Sequence, residues 1–280
     1  MSAGATAVTT TDTRGRRGSS GVARFAKRLG VIFALPVVLV AIWWFGSAGS
    51  ESFFFPPLAE ILQTFQPTWL EGRIFADVLP SVGRLTIGYV LALVLGIGAG
   101  VAIGSSAKLR AFCEPVLEFF RAIPPPVLVP ILMLFAGIGT TMKVVVIISG
   151  CIWPILLNTV EGVRGIDEVL RDTAATYRMR KRTRLRSLIL RGASPQIVTG
   201  ARQGLSIAII LMVISEMFAA NNGLGFSIVQ FQRSFAIPQM WSGIILLGLV
   251  GVMLSLIFRA IERPVLAWYH GFRQAQRGGN

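Results

Sequence analysis

The 280 residues are 53% hydrophobic and only 14% charged, whereas soluble domains carry about 25% charged side chains, so the chain is expected to lie in a lipid bilayer. A mean hydropathy of +0.67 excludes a disordered protein, and two cysteines exclude a disulfide-stapled secreted domain. A net charge of +14, from 27 Lys and Arg against 13 Asp and Glu, would point a soluble chain towards nucleic acid, so the placement of those charges decides the class.

Residues 1–20 are rich in Ser, Thr, Ala and Gly and have no apolar periodicity. They predict disorder, within a basic cytoplasmic tail over 1–28. A spanning helix needs about 20 mostly apolar residues, and dividing the chain at its ionisable side chains predicts six spans. The first, 29–48, is too long for the apolar core of a cleavable signal and precedes no convincing cleavage site. Its Trp43 and Trp44 suit the membrane interface. After Pro56 and Pro57, 58–65 is patterned as a short amphipathic helix on the membrane surface.

The second span, 85–107, places Gly96, Gly100 and Gly104 on one face, where another backbone can approach closely. With Gly98 they superficially suggest a dinucleotide loop, but no strand precedes them. The third lies between Arg121 and Lys143 and opens on Pro124, Pro125 and Pro126, with Pro130 beyond. The fourth, 144–160, contains Pro154. These prolines mark either a pathway wall or kinks buried against other helices. The fifth has to include Arg202, Glu216 or both, because only 13 residues separate them; the sixth, 234–258, is uncharged.

Lys and Arg are enriched in cytoplasmic loops. Of the 27 here, 22 fall in the N-terminal tail, the second and fourth connections and the C-terminal tail, whereas the opposite loops hold Arg73, Lys143 and Arg233. Both termini are expected to be cytoplasmic.

Glu216 is the costliest residue at membrane depth. If its helix starts near Gln196, Glu216 follows about 30 Å along, near the outer end, where it serves a structural or gating role or meets solute directly. Arg121 either faces the path or snorkels to lipid headgroups. Cys113 and Cys151 match no metal-ligand spacing and are expected to pack. The only histidine is His270, so no His-based catalytic or metal cluster can be assembled. No phosphate loop of the GxxxxGK[ST] kind is present, and no internal repeat suggests a secondary transporter. A driven process needs a partner.

The fourth connection is the most informative. A basic run extends from Arg178 to Arg191, and Asp167, Glu168 and Asp172 precede it, acids first and bases last, as the helix dipole favours. The segment suits either anionic lipid or a protein groove that receives its small Ala174 and Ala175 face. Its Asp172, Thr173, Ala174, Ala175, with Arg178, Leu188, Leu190 and Pro195, resemble the EAA loop of permease subunits in binding-protein-dependent ABC importers. The sulfonate, nitrate and taurine branch is similar in the flanking text: RAIPPPVLVPILMLFAGIG from Arg121, WPILLNTVEGVRGID from Trp153 and PQIVTGARQGLSIAIILMVISEM from Pro195. The likeness runs from about Phe55 to Trp268. Arg178 stands where the family pattern has Gly, Arg191 where it has a first Pro, and Asp172 where it has Glu.

The resemblance implies an all-α membrane protein of six transmembrane helices, similar to type I ABC importer permeases, in the bacterial cytoplasmic membrane. It implies a permease domain over 29–268 with a coupling loop over 161–195, and a cytoplasmic tail over 269–280. It further implies a homodimer, two cytosolic ATPase subunits that bind ATP and Mg, and an extracytoplasmic solute-binding protein delivering a small anion such as a sulfonate, taurine or nitrate. This chain itself would hold no cofactor, metal or nucleic acid, and would contact membrane lipid. Coupling residues implied are Asp172, Thr173, Ala174, Ala175, Arg178, Met179, Arg180 and Pro195; path candidates are Arg121, Pro125, Asn158 and Glu216. Two other classes compete. A membrane-anchored scaffold leaves the proline-rich spans unexplained, and a lipid-modifying enzyme lacks paired carboxylates at an interface.

Overall fold

The structure, a computed structural model, describes residues 21–218, 220–269 and 271, with side chains from Ala34 onwards. Segment 1–20, His270 and most of the expected tail over 269–280 lie outside the described residues. Every described element is a helix or helical turn, and the chain divides into two compact units, Met1–Ala59 and Glu60–Asn280.

In the first unit, α1 (Gly21–Ser47) runs 27 residues and contains Pro36. Its first eight residues fall within the segment 1–28 expected as a basic tail. Residues 22–28 are Val, Ala, Arg, Phe, Ala, Lys and Arg, several of them good helix formers without a proline, although their charge mimics a solvated tail. Beyond α1, the Ser47 hydroxyl accepts the Leu58 N–H at 3.1 Å. It anchors the start of α2 (Leu58–Phe65), which has the bounds the sequence predicts.

The second unit is organised by three helices. Two π-helical turns, Gln66–Leu70 and Ile74–Val78, lead into α3 (Leu79–Gly104), which packs on α6 (Thr140–Arg164). A Cβ added at Gly88, Gly96, Gly100 or Gly104 would fall within 3 Å of Ile147, Ile155, Thr159 or Val163 respectively. The offset is 59 residues throughout, so the two helices run parallel with backbones pressed together. α9 (Leu190–Phe218) lies antiparallel to α6, with Gly200 against Pro154 and Asn158 and Gly162 against Gln196 and Ala193. Between them Leu85, Met142, Ile147, Ile155, Ala208 and Leu211 form the buried core. α10 (Leu224–Arg233) and α11 (Ile237–Val265) complete the unit.

Parallel α3 and α6 require the intervening chain to return across the bundle. It does so as α4 (Ala107–Ala122), a 3-10 turn at Pro125–Val127 and α5 (Leu128–Ala136), bent by 77°. The third span expected between Arg121 and Lys143 is thus the second arm of a bent pair that begins at Ala107, with the break at the prolines that mark it in the sequence. Ile123 and Pro124, each followed by proline, are extended at ψ 120° and 121°, as the proline ring forces on its predecessor.

Of the six spans expected, four or five are found among the described residues. Among the described residues four helices are long and apolar enough to cross a membrane, Ile74–Gly104, Thr140–Arg164, Lys181–Phe218 and Ile237–Val265, and five if the bent pair is one crossing. The segment expected as the first span lies almost wholly in α1, which is 27 residues long.

At one end of this unit lie Lys108, Arg110, Arg164, the run from Arg178 to Arg191, Arg259 and Arg263; at the other lie Arg73, Arg84, Lys143 and Arg233. Lys143, expected in a loop, occupies the first turn of α6 and is buried.

Candidate functional site

The proline break opens onto a cavity of about 390 Å³ whose lining includes Arg121, Pro125, Trp153, Asn158 and Gln203. Three of the four path candidates, Arg121, Pro125 and Asn158, thus share one space between the α4–α5 bend, α6 and α9. The Asn158 amide donates to Gln203 Oε1 at 3.2 Å and to the Pro154 carbonyl at 2.8 Å. Arg121, at the rim, pairs with Glu118 at 2.6 Å, both side chains being more than half exposed. The Trp153 ring stacks on Phe120, centroids 5.6 Å apart and 5° from parallel. Gly150 keeps the wall close, since a Cβ there would lie 2.2 Å from Leu211 and 3.0 Å from Pro125. Irregular backbone at membrane depth is tolerated where it lines such a cavity. One guanidinium and two amides facing an otherwise apolar wall suit an anion carrying little charge.

Glu216, the fourth candidate, does not line this cavity. It sits two residues before the end of α9 and is fully buried. Arg84 donates to it at 2.8 Å, the Ser81 hydroxyl at 2.7 Å and the Gly225 N–H at 3.1 Å. Ser81 in turn accepts the Leu224 N–H, Asp77 accepts from the Gly223 N–H and the Ser227 hydroxyl, and Arg84 reaches Asn222. The loop before α10 is therefore clasped to the start of α3. Sequence reasoning isolated Glu216 but not Arg84, Asp77 or Ser81. Their spacing, positions 77, 81 and 84, puts all three on one helix face, a signal the sequence does contain.

The segment expected as the coupling loop is built as α7 (Glu168–Thr176), a turn, the short α8 (Lys181–Thr183) and a π-helical stretch, Arg184–Ile189, continuous with α9. Asp167 caps α7 by accepting the Val169 N–H at 2.8 Å. Asp172, Thr173, Ala174 and Ala175 lie on α7, and Pro195 lies inside α9. Arg178, where the family pattern has Gly, adopts φ 46°. Its N–H bonds the Ala175 carbonyl at 2.9 Å and the Met179 N–H bonds that of Ala174 at 3.0 Å, the paired bonds of a Schellman stop. The sharp turn is made without glycine, and Arg180 follows it. Within the quartet Ala174 is only 4% exposed and faces its own chain, whereas Asp172, Thr173 and Ala175 are exposed. Val169 and Tyr177, 70% and 80% exposed, extend that outward surface.

No group of three or more His, Cys, Asp and Glu among the described residues could hold a metal. Residues 92–266 match the family model described as binding-protein-dependent transport system inner membrane component. The chain is 29% identical over 240 residues to the putative aliphatic sulfonates transport permease protein SsuC of Bacillus subtilis (strain 168), covering 85% of this chain and 87% of that one. It is 27% identical over 239 residues to the taurine transport system permease protein TauC of Escherichia coli (strain K12), covering 83% and 87%. Among solved structures, an inward-facing form of the MetNI methionine ABC transporter aligns with a TM-score of 0.57 at 21% identity, over 68% of this chain and 94% of that one, a likeness of fold. The matched span takes in every residue of the cavity and of the expected coupling loop named above, and the chain belongs to the family of binding-protein-dependent transport system inner membrane components, the non-catalytic permease subunits of ABC importers.

Proposed function

We propose that this permease carries a small anion, of the sulfonate or taurine kind named for its relatives, through an alternating-access path between two copies of the chain. Each copy contributes six spans, α1 supplying the sixth, with both termini cytoplasmic in a bacterial inner membrane. An external binding protein delivers the solute, and two cytosolic ATPase subunits hold ATP and Mg and receive α7 in a cleft. Nucleotide-driven closure of the ATPases selects between two packings of one interface.

The observation that carries this reading is the convergence of Arg121, Asn158 and Gln203 on one cavity at the break in a span. A sulfonate or carboxylate entering from the rim competes with Glu118 for the Arg121 guanidinium, then meets the amides of Asn158 and Gln203. The test is uptake of radiolabelled taurine and ethanesulfonate into vesicles holding the permease with its ATPase and binding protein. Hydrogen bonds to charged groups contribute about 1.5–3 kcal/mol, so Arg121→Gln is expected to lower uptake roughly 10-fold or more, and Asn158→Leu to lower it as well, with the complex still assembling. Unchanged uptake in both variants would place the path elsewhere.

A further inference from the structure

A second cleft, at the basic end, plays no part in the solute path. Where α9 begins and α11 ends, a space of about 720 Å³ is lined by residues that include Arg186, Ser187, Arg191, Ser194, Pro264 and Trp268. Arg186 and Arg191 are exposed, and no carboxylate of the described residues pairs with either. The Trp268 indole N–H donates to the Ser194 hydroxyl at 3.3 Å, and Ser194 donates to the Arg191 carbonyl at 2.8 Å, so the ring is moored beside the two cations.

The depth of the cleft is fixed by α9. Ser194 precedes Glu216 by 22 residues, about 33 Å of helix, close to one hydrocarbon thickness of ~30 Å. With Glu216 at the far boundary, Ser194 and Trp268 fall at the near one, the level tryptophan favours. An apolar surface starts at the same place. On α11, Val265, Ile261, Ile257, Leu256, Val252 and Leu249 are each 45% exposed or more, and they form a strip leading from the cleft towards the bilayer centre.

We propose that this cleft is a headgroup site for an anionic phospholipid of the phosphatidylglycerol class, in the leaflet at the basic end. Arg186 and Arg191 hold the phosphate, whose planar match to guanidinium favours bidentate bonding. Ser187 and the indole edge bound the glycerol, and the acyl chains lie along the α11 strip. Basic recesses between spanning helices are suited to such headgroups. Arg186 lies on the π-helical stretch that joins α8 to α9, so the lipid grips the segment leading from the coupling loop into the bundle.

The test is native mass spectrometry of the full-length permease with its partner subunits, after incubation with phosphatidylglycerol or with phosphatidylcholine of the same chains. The wild type is expected to retain phosphatidylglycerol at least 10-fold over phosphatidylcholine. Arg186→Gln/Arg191→Gln should abolish that preference, and so should Ser187→Glu, which removes no arginine and adds a carboxylate to the cleft. Arg180→Gln/Arg182→Gln, removing the same charge from the same run, should keep it. A preference that survives in the cleft variants overturns the site. Equal loss in the Arg180/Arg182 variant shows diffuse attraction to the basic run and overturns it too. Soluble glycerol 3-phosphate displacing the lipid at equal concentration would make the ligand a free phosphate.

Discussion

Glu216 and Arg84 meet at 2.8 Å with side chains 0% and 8% exposed, so each charge helps to compensate the burial of the other, beside Ser81, Gly225 and Asn222. Removing one partner of such a pair costs about 3–5 kcal/mol because a lone charge is stranded, whereas replacing both with apolar residues can be nearly neutral. Arg84→Met and Glu216→Leu are each expected to lower the unfolding free energy of the solubilised protein by about that amount, and the double variant by clearly less than their sum. Simple additivity in chemical unfolding would mean that the two side chains do not act as a pair. Gly223 shows how tightly the clasp closes. It holds φ +125°, and a Cβ there would lie 2.4 Å from the Glu216 carboxyl carbon. Arg178 is the opposite case, a bulky residue in the left-handed region at a cost of roughly 1–2 kcal/mol, which the two backbone bonds of its turn help to offset.

Two glycines of α3 separate packing from propensity at the scale of an element. Gly98 has nothing within 4 Å of its would-be Cβ, whereas that of Gly100 would lie 2.6 Å from Thr159 Cβ and 2.9 Å from the Leu156 carbonyl. Gly100→Leu is therefore expected to force α3 from α6 and to destabilise by more than the ~1–3 kcal/mol typical of overpacking, and Gly98→Leu to leave thermal unfolding almost unchanged. Equal effects would show that the helices do not meet on that face. This stripe was legible in the sequence because close helix contact writes itself as small residues four apart, and α2 was legible from its proline start and apolar period. The bent pair was only half legible: a gap between charges measures apolar length and carries no dihedral angle, although Pro124, Pro125 and Pro126 were the visible cause of the break. Of the candidate site, Arg121, Pro125 and Asn158 were identified as separate path residues, but their meeting with Gln203 depends on how α6 and α9 are juxtaposed. The clasp depends on Arg84 and Glu216, 132 residues apart, and local pattern cannot pair groups that distant.

Across the whole molecule, the basic end reaches the cavity through two short mechanical links. The Arg171 guanidinium of α7 donates to the carbonyls of Val163 and Arg164 at the end of α6, so a pull on α7 is passed to the helix that carries Trp153 and Asn158. After the turn at Arg178, α8 and the π-helical stretch continue into α9, which carries Gln203. A load on one exposed helix thus acts on both amides of the cavity, the geometry that the proposed ATPase docking requires. With the docking surface proposed on the outward side of α7, Ala175, exposed, and Ala174, buried at 4%, are expected to respond differently to the same substitution. Ala175→Trp should abolish solute-stimulated ATP hydrolysis in reconstituted vesicles by blocking a groove that accepts only a small side chain, with the thermal unfolding of the isolated permease unchanged. Ala174→Trp should instead lower the unfolding temperature itself, because the ring has to displace the chain's own packing beneath α7. Stimulation that persists in Ala175→Trp at wild-type level would show that the motor grips another face, and the link through Arg171 would then have no load to carry.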